Sequence, residues 1–163
     1  MSRHSSLLAF ALVIAVIAAP SLSRALEAGE DPAVGTWKLD LEKSKPDPAI
    51  APPKSSVRTY SAVPGGLRVR IRTVDADGSE HLIESRFSYD GKLHSVTGTP
   101  DYDSVAVTRV GRFGSHTRLI QDGKAIGQLD RVVSADGRTL TISVQLTTNK
   151  GTAERDVLVF DRQ

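Results

Sequence analysis

From Val34 to Arg162 the chain alternates short runs rich in Val, Ile, Leu and Thr with turns built on glycine. These turns are Pro64-Gly65-Gly66, Asp75-Ala76-Asp77-Gly78, Asp90-Gly91, Gly111-Arg112-Phe113-Gly114, Asp122-Gly123, Ala135-Asp136-Gly137 and Asn149-Lys150-Gly151. Punctuation of this kind at short, similar intervals is the signature of a meander of strands. A parallel return would need a dozen residues or more, so turns this short force each strand to run antiparallel to the one before it. The spacing predicts strands over 34–41, 57–63, 67–74, 79–89, 92–97, 103–110, 116–121, 124–134, 138–147 and 153–162. The fold class expected is therefore all-β, an antiparallel up-and-down β-barrel of about ten strands.

The N-terminus has a different character. A basic start at Arg3 and His4 precedes an unbroken apolar run from Leu7 to Ala19, and Pro20-Ser21-Leu22-Ser23-Arg24-Ala25 supplies small residues for cleavage. A membrane-spanning helix needs roughly 18 or more apolar residues, so the run reads as a secretory signal. The expected division is residues 1–25 as signal peptide and 26–163 as a single barrel domain, with export to the periplasm or the medium of a bacterium. The full chain carries 21 Lys and Arg against 19 Asp and Glu, but Arg3 and Arg24 leave with the signal, so the remainder carries 19 of each. A neutral domain with interspersed charges has no electrostatic footprint for nucleic acid or for an anionic membrane surface. Arg68, Arg70 and Arg72 share one strand face by their period of two and read as a solvated outer stripe.

Cysteine is absent, which removes disulfides, thiolate metal sites, a cysteine nucleophile and a lipid-bearing cysteine. An exported domain of this length then rests on a hydrophobic core alone. Two stretches break the strand pattern. Lys43–Ser55 contains Pro46, Pro48, Pro52 and Pro53, which bars a helix or an interior strand and suggests an extended cover or a rigid connector. Gly98–Asp103 is irregular, and its two acids fall short of the six to eight oxygen ligands of a calcium site.

Hairpin arithmetic then assigns faces. A three-residue Ala76-Asp77-Gly78 loop pairs Ile71 with Ile83, Val69 with Ser85 and Leu67 with Phe87, and the Asp90-Gly91 turn pairs Ser85 with Val96 and Phe87 with His94. His81, Ile83, Ser85, Phe87, Tyr89, His94 and Val96 thereby share an inner face. That mixture suits either a cavity with a few polar anchors or a sealed core with internal hydrogen bonds. The candidate ligand-binding residues are His81, Ser85, Phe87, Tyr89, His94 and Phe160.

Catalytic and metal motifs are missing. His81, His94 and His116 form no helical pair, and neither His-Glu-x-x-His, Gly-x-Ser-x-Gly nor a glycine-rich phosphate loop occurs. No catalytic residue, metal ligand or cofactor is assigned.

The strand Val34-Gly35-Thr36-Trp37-Lys38-Leu39-Asp40, the ten-strand meander after it and the ending Val157-Leu158-Val159-Phe160-Asp161-Arg162-Gln163 resemble the lipocalin and fatty-acid-binding-protein superfamily, the calycins. The segments Val96–Asp103 and Arg131–Thr141 also resemble a group of small exported bacterial proteins of uncharacterised function. The resemblance implies a structural role for Gly35 and Trp37 near the closed end of a barrel, with a late-strand arginine, Arg155 or Arg162, stacked on the indole. It also implies a helix pair after the first strand, where this chain has prolines. Its Arg-x-Tyr carboxylate clamp falls here on Leu158 and Phe160, so the expected ligand is a small, largely apolar molecule. The alternative is a protein-interaction or envelope-stress module with a filled core. Because calycin-like barrels elsewhere host isomerase or haem chemistry, an enzyme using a cavity histidine stays open as a third reading.

Overall fold

The computed structural model describes residues 31–148 and 150–163. The signal-peptide reading falls outside the described residues. Ten strands follow in order: β1 (Gly35–Lys45), β2 (Ser55–Val63), β3 (Gly66–Val74), β4 (Glu80–Phe87), β5 (Asp90–Thr97), β6 (Ser104–Val110), β7 (Gly114–Gln121), β8 (Lys124–Val133), β9 (Thr139–Thr147) and β10 (Ala153–Arg162). Each pairs antiparallel with its neighbour and β1 pairs with β10, so the meander closes into an up-and-down barrel. Closure removes the unpaired edges on which sheets aggregate.

The turn chemistry explains the register. Asp122 and Gly123 both adopt positive φ, at 50° and 74°, as the two-residue hairpin turn that matches strand twist requires. At the β3–β4 turn the Asp75 amide donates to the Ser79 carbonyl, so the loop is the three-residue one expected. Ile71 then faces Ile83, Val69 faces Ser85 and Leu67 faces Phe87. Across β4 and β5 only Glu84 with Thr97 and Ser85 with Val96 are in register. Near the Asp90-Gly91 turn β5 carries an irregularity between Asp90 and Leu93 in its pairing with β6.

Trp37 and Leu39 of β1, Leu140, Ile142 and Val144 of β9 and Phe160 of β10 form a packed block within one hydrophobic core that continues through Val69, Ile71, Phe87 and Leu119. The buried polar side chains of the strands come from β2, β4, β7 and β8. The proline-rich segment does not form a helix. β1 continues to Lys45, and a bulge between Asp40 and Lys45 breaks its pairing with β10. Ser44 Oγ accepts the Val159 amide at 2.9 Å and replaces the lost ladder bond. Beyond it, the Asp47 amide donates to Asp156 Oδ1 at 2.6 Å, and Asp47 Oδ2 accepts the Arg155 amide at 3.0 Å. The connector 46–54 is therefore pinned to β10 at Asp47 and to β3 at Lys54, whose amide donates to the Val74 carbonyl.

Candidate functional site

At the end of the barrel marked by Trp37, polar groups form a connected plug. The Trp37 indole donates to the Ala33 carbonyl at 2.8 Å, and the Arg162 guanidinium lies 4.2 Å from the centre of its ring. Arg162 also reaches the carbonyls of Pro32, Val34 and Gly137 at 2.7, 2.8 and 2.6 Å. Of the two arginines left open by the sequence it is the one that stacks. Gly35 is required beside it: φ is 139°, and a Cβ there would meet the Arg162 guanidinium. Arg155 instead stands exposed on β10, opposite Gln145.

The same end is closed by Asp31, Tyr89, Arg109 and Arg131. Asp31 Oδ2 accepts from the Tyr89 hydroxyl at 2.6 Å and from Arg109 at 2.7 Å, while Oδ1 takes the Ala33 amide at 2.9 Å. Burial pushes the Asp31 carboxyl up, but the hydrogen bonds from Tyr89, the Ala33 amide and Arg109 outweigh it and hold its pKa below the usual value. Arg131 donates to the Tyr89 oxygen at 2.6 Å. Burial raises the Tyr89 phenol to about 12, so it keeps its proton at neutral pH and donates it in the hydrogen bond to Asp31. Arg109 stacks 3.9 Å from the centre of the Tyr89 ring.

Above this plug lies an interior cavity of about 60 Å³. Its apolar wall includes Val69, Ile71, Ile83, Phe87, Val96 and Leu119, and its hydroxyl groups come from Ser85, Ser115 and Thr117. Tyr60 and Tyr102 add aromatic faces, and Arg58 and Arg131 add two guanidinium groups. Arg131 is 3% exposed and lies 4.9 Å from the Tyr60 ring centre; Arg58 lies 5.1 Å from that of Phe160. In both arginines the Nε–H is buried without an acceptor. Larger recesses, about 340 Å³ beside the Pro64-Gly65-Gly66 turn and about 390 Å³ beside Arg112 and Phe113, are more open to solvent. The interior cavity is the better candidate site despite its size, because enclosed polar groups there act in a low dielectric.

Of the residues proposed from sequence, Ser85 and Phe87 line the cavity. His81 sits at the start of β4, its Nδ1 3.2 Å from Asp75. His94 is beyond the other end of β4, its Nε2 2.9 Å from Asp90 Oδ1 and 3.4 Å from Ser88 Oγ. The two histidines are thus kept apart by the length of a strand. Tyr89 belongs to the plug, with its ring edge-on to Phe87 at 5.8 Å. Phe160 belongs to the packed block, beneath Arg58. Leu158 and Phe160 stand where the resemblance places the clamp, and β2 and β8, each two strands from β10 around the barrel, bring Arg58 and Arg131 to the cavity. Period-two parity on β2 and β8 was the signal that could have found them. Arg58 precedes the buried Tyr60 by two residues and Arg131 precedes the buried Val133 by two.

At the far end, Glu154 and Asp156 share the inner face of β10 with Leu158 and Phe160. Burial, followed by hydrogen bonding to Asp156 and repulsion from Asp156, Asp101 and Asp47, raises the Glu154 carboxyl to about 7. No group of three or more His, Asp or Glu among the described residues is arranged to hold a metal.

Fold and site together define a closed ten-stranded antiparallel barrel with a small charged cavity, an architecture consistent with a calycin-like fold. No protein-family model, curated protein or solved structure matches the chain.

Proposed function

We propose that this chain is an exported bacterial barrel, periplasmic or secreted, that binds a small molecule in the cavity between β2 and β8. The observation that carries the reading is the mixed lining, an apolar wall interrupted by the hydroxyls of Ser85, Ser115 and Thr117, by the buried Arg131 and by Arg58, whose Nε–H is buried. A sealed core built for stability alone would fill these positions with apolar side chains, since each buried polar group costs free energy unless bonded. The volume restricts the ligand. Drug-sized ligands occupy roughly 300–1,000 Å³, whereas the space here is about 60 Å³, several times the roughly 10–15 Å³ of probe volume that one water needs. The ligand is accordingly a molecule of a few heavy atoms, or the head of a longer one that displaces Tyr102.

The test is a thermal-shift screen of small polar and amphiphilic molecules on the native protein and on Thr117→Leu, which fills the cavity. Stabilisation of the native protein that disappears in the filled variant supports the reading. Equal shifts in both, or none in either, refute it.

A second reading, an interaction module, has one observation of its own. Val110 and Val132, 59% and 52% exposed, flank Gly114 on the outer face. Loss of a stable partner on Val132→Lys, with the cavity ligand-free throughout, would favour it.

A further inference from the structure

We propose that the cavity ligand is a short-chain monocarboxylate whose carboxylate is held between Arg58 and Arg131. This inference rests on the small-molecule reading above and names its ligand class. The first argument is the unmatched hydrogen-bond donors. Arg131 spends one NH2 group on the Tyr89 oxygen, yet its Nε–H points to no protein acceptor, and the same holds for Arg58 Nε. A buried guanidinium donor without an acceptor is expensive, and a carboxylate is the acceptor whose geometry matches that fork.

The second argument is charge. Asp31 is engaged directly by Arg109 and by the Tyr89 proton, so Arg131 touches it only through Tyr89. Among the described residues Arg58 forms no ion pair with a carboxylate; its neighbour is the Phe160 ring. Arg131 feels Asp31 at a distance, and Asp101 and Glu154 act with Arg58 on Tyr102, but neither arginine holds a carboxylate directly among the described residues, and a bound monoanion supplies that contact.

The third argument is the wall. Val69, Ile71, Ile83, Val96 and Leu119 suit two to four carbons of an acyl chain, which a phosphate or sulfate lacks. A 60 Å³ space excludes long-chain acids unless Tyr102 moves.

Calorimetric titration of the purified full-length protein at constant chloride tests this with acetate, propionate, butyrate, propionamide, nitrate and phosphate. Propionate should bind one to one with a dissociation constant of about 10 μM to 1 mM, within the limit for so few heavy atoms. Propionamide should bind at least tenfold more weakly. Arg131→Met and Arg58→Met should each weaken propionate at least tenfold while leaving propionamide unchanged. Because Arg131 also holds the plug, Arg58→Met decides the matter if Arg131→Met does not fold. Propionamide binding as well as propionate overturns the charge assignment but leaves the binding reading standing, and so does tighter binding of nitrate or phosphate for the apolar tail. If none of the six binds, the carboxylate assignment falls, and the thermal-shift screen with Thr117→Leu decides separately whether the small-molecule reading stands.

Discussion

Single residues at the two ends of the barrel carry opposite electrostatic loads. Arg162 joins the Trp37 face to three backbone carbonyls from two separate parts of the chain. Its replacement by alanine should cost about 2 kcal/mol from the combined loss of cation–π and hydrogen-bond energy, read as a lower urea midpoint with an unchanged slope. Asp31 has a depressed pKa in the fold. A carboxylate of that kind contributes stability above its unfolded pKa of about 3.9 and loses it as pH falls through the folded value. Asp31→Asn should therefore lower stability at neutral pH and flatten the acid limb of the stability profile. Glu154 has the opposite sign. Its folded pKa of about 7 lies above the unfolded value, so ionisation in the fold is penalised, and stability falls as pH rises from about 4.5 to 7. Glu154→Gln should remove that decline and be the more stable protein at pH 8. The site is half exposed, and solvent screening limits the gain to about 1 kcal/mol. Chemical unfolding of both variants between pH 3 and 9 checks the two signs together.

Among elements, pairing is uneven. β9 and β10 stay in register from Thr139 with Asp161 to Thr147 with Ala153, whereas β4 and β5 share only Glu84 with Thr97 and Ser85 with Val96. Ser85, Phe87 and Val96 on that seam also line the cavity, so the weakest seam is the natural route inward. Amide exchange should be fastest for the β4–β5 pair and slowest for β9 and β10 in the same experiment. Glycines hold close approaches elsewhere. A Cβ at Gly127 would collide with the Gln145 carbonyl and with Leu146 across β8 and β9, so Gly127→Ala should cost about 2 kcal/mol or more. Such elements were legible in the sequence because period-two alternation and glycine turns are local signals. The ten strands and the β3–β4 register follow from Ile71, Ile83 and the Ala76-Asp77-Gly78 loop without any tertiary knowledge. His94 was harder to place, because its position depends on the irregularity between Asp90 and Leu93, and alternation does not encode a bulge.

For the whole molecule, closure of β1 on β10 converts local strands into an interior, and the interior is where sequence reading loses sight of the site. Ser85 and Phe87 were found because a hairpin fixes them relative to one another. Arg58 and Arg131 come to line one cavity only when β2 and β8, distant in the chain, are wrapped around it, and an arginine on a strand otherwise reads as solvent-facing. The plug made by Asp31, Tyr89, Arg109 and Arg131 has the same character, since its members come from four separate parts of the chain. On this convergence rests the proposed site for a small carboxylate. The decisive measurement is a high-resolution crystal structure of the protein grown with propionate. Propionate density is expected in the cavity, with carboxylate oxygens within hydrogen-bond distance of Nε of Arg58 and of Arg131. Density for ordered water alone in the cavity, at saturating propionate, rules the site out.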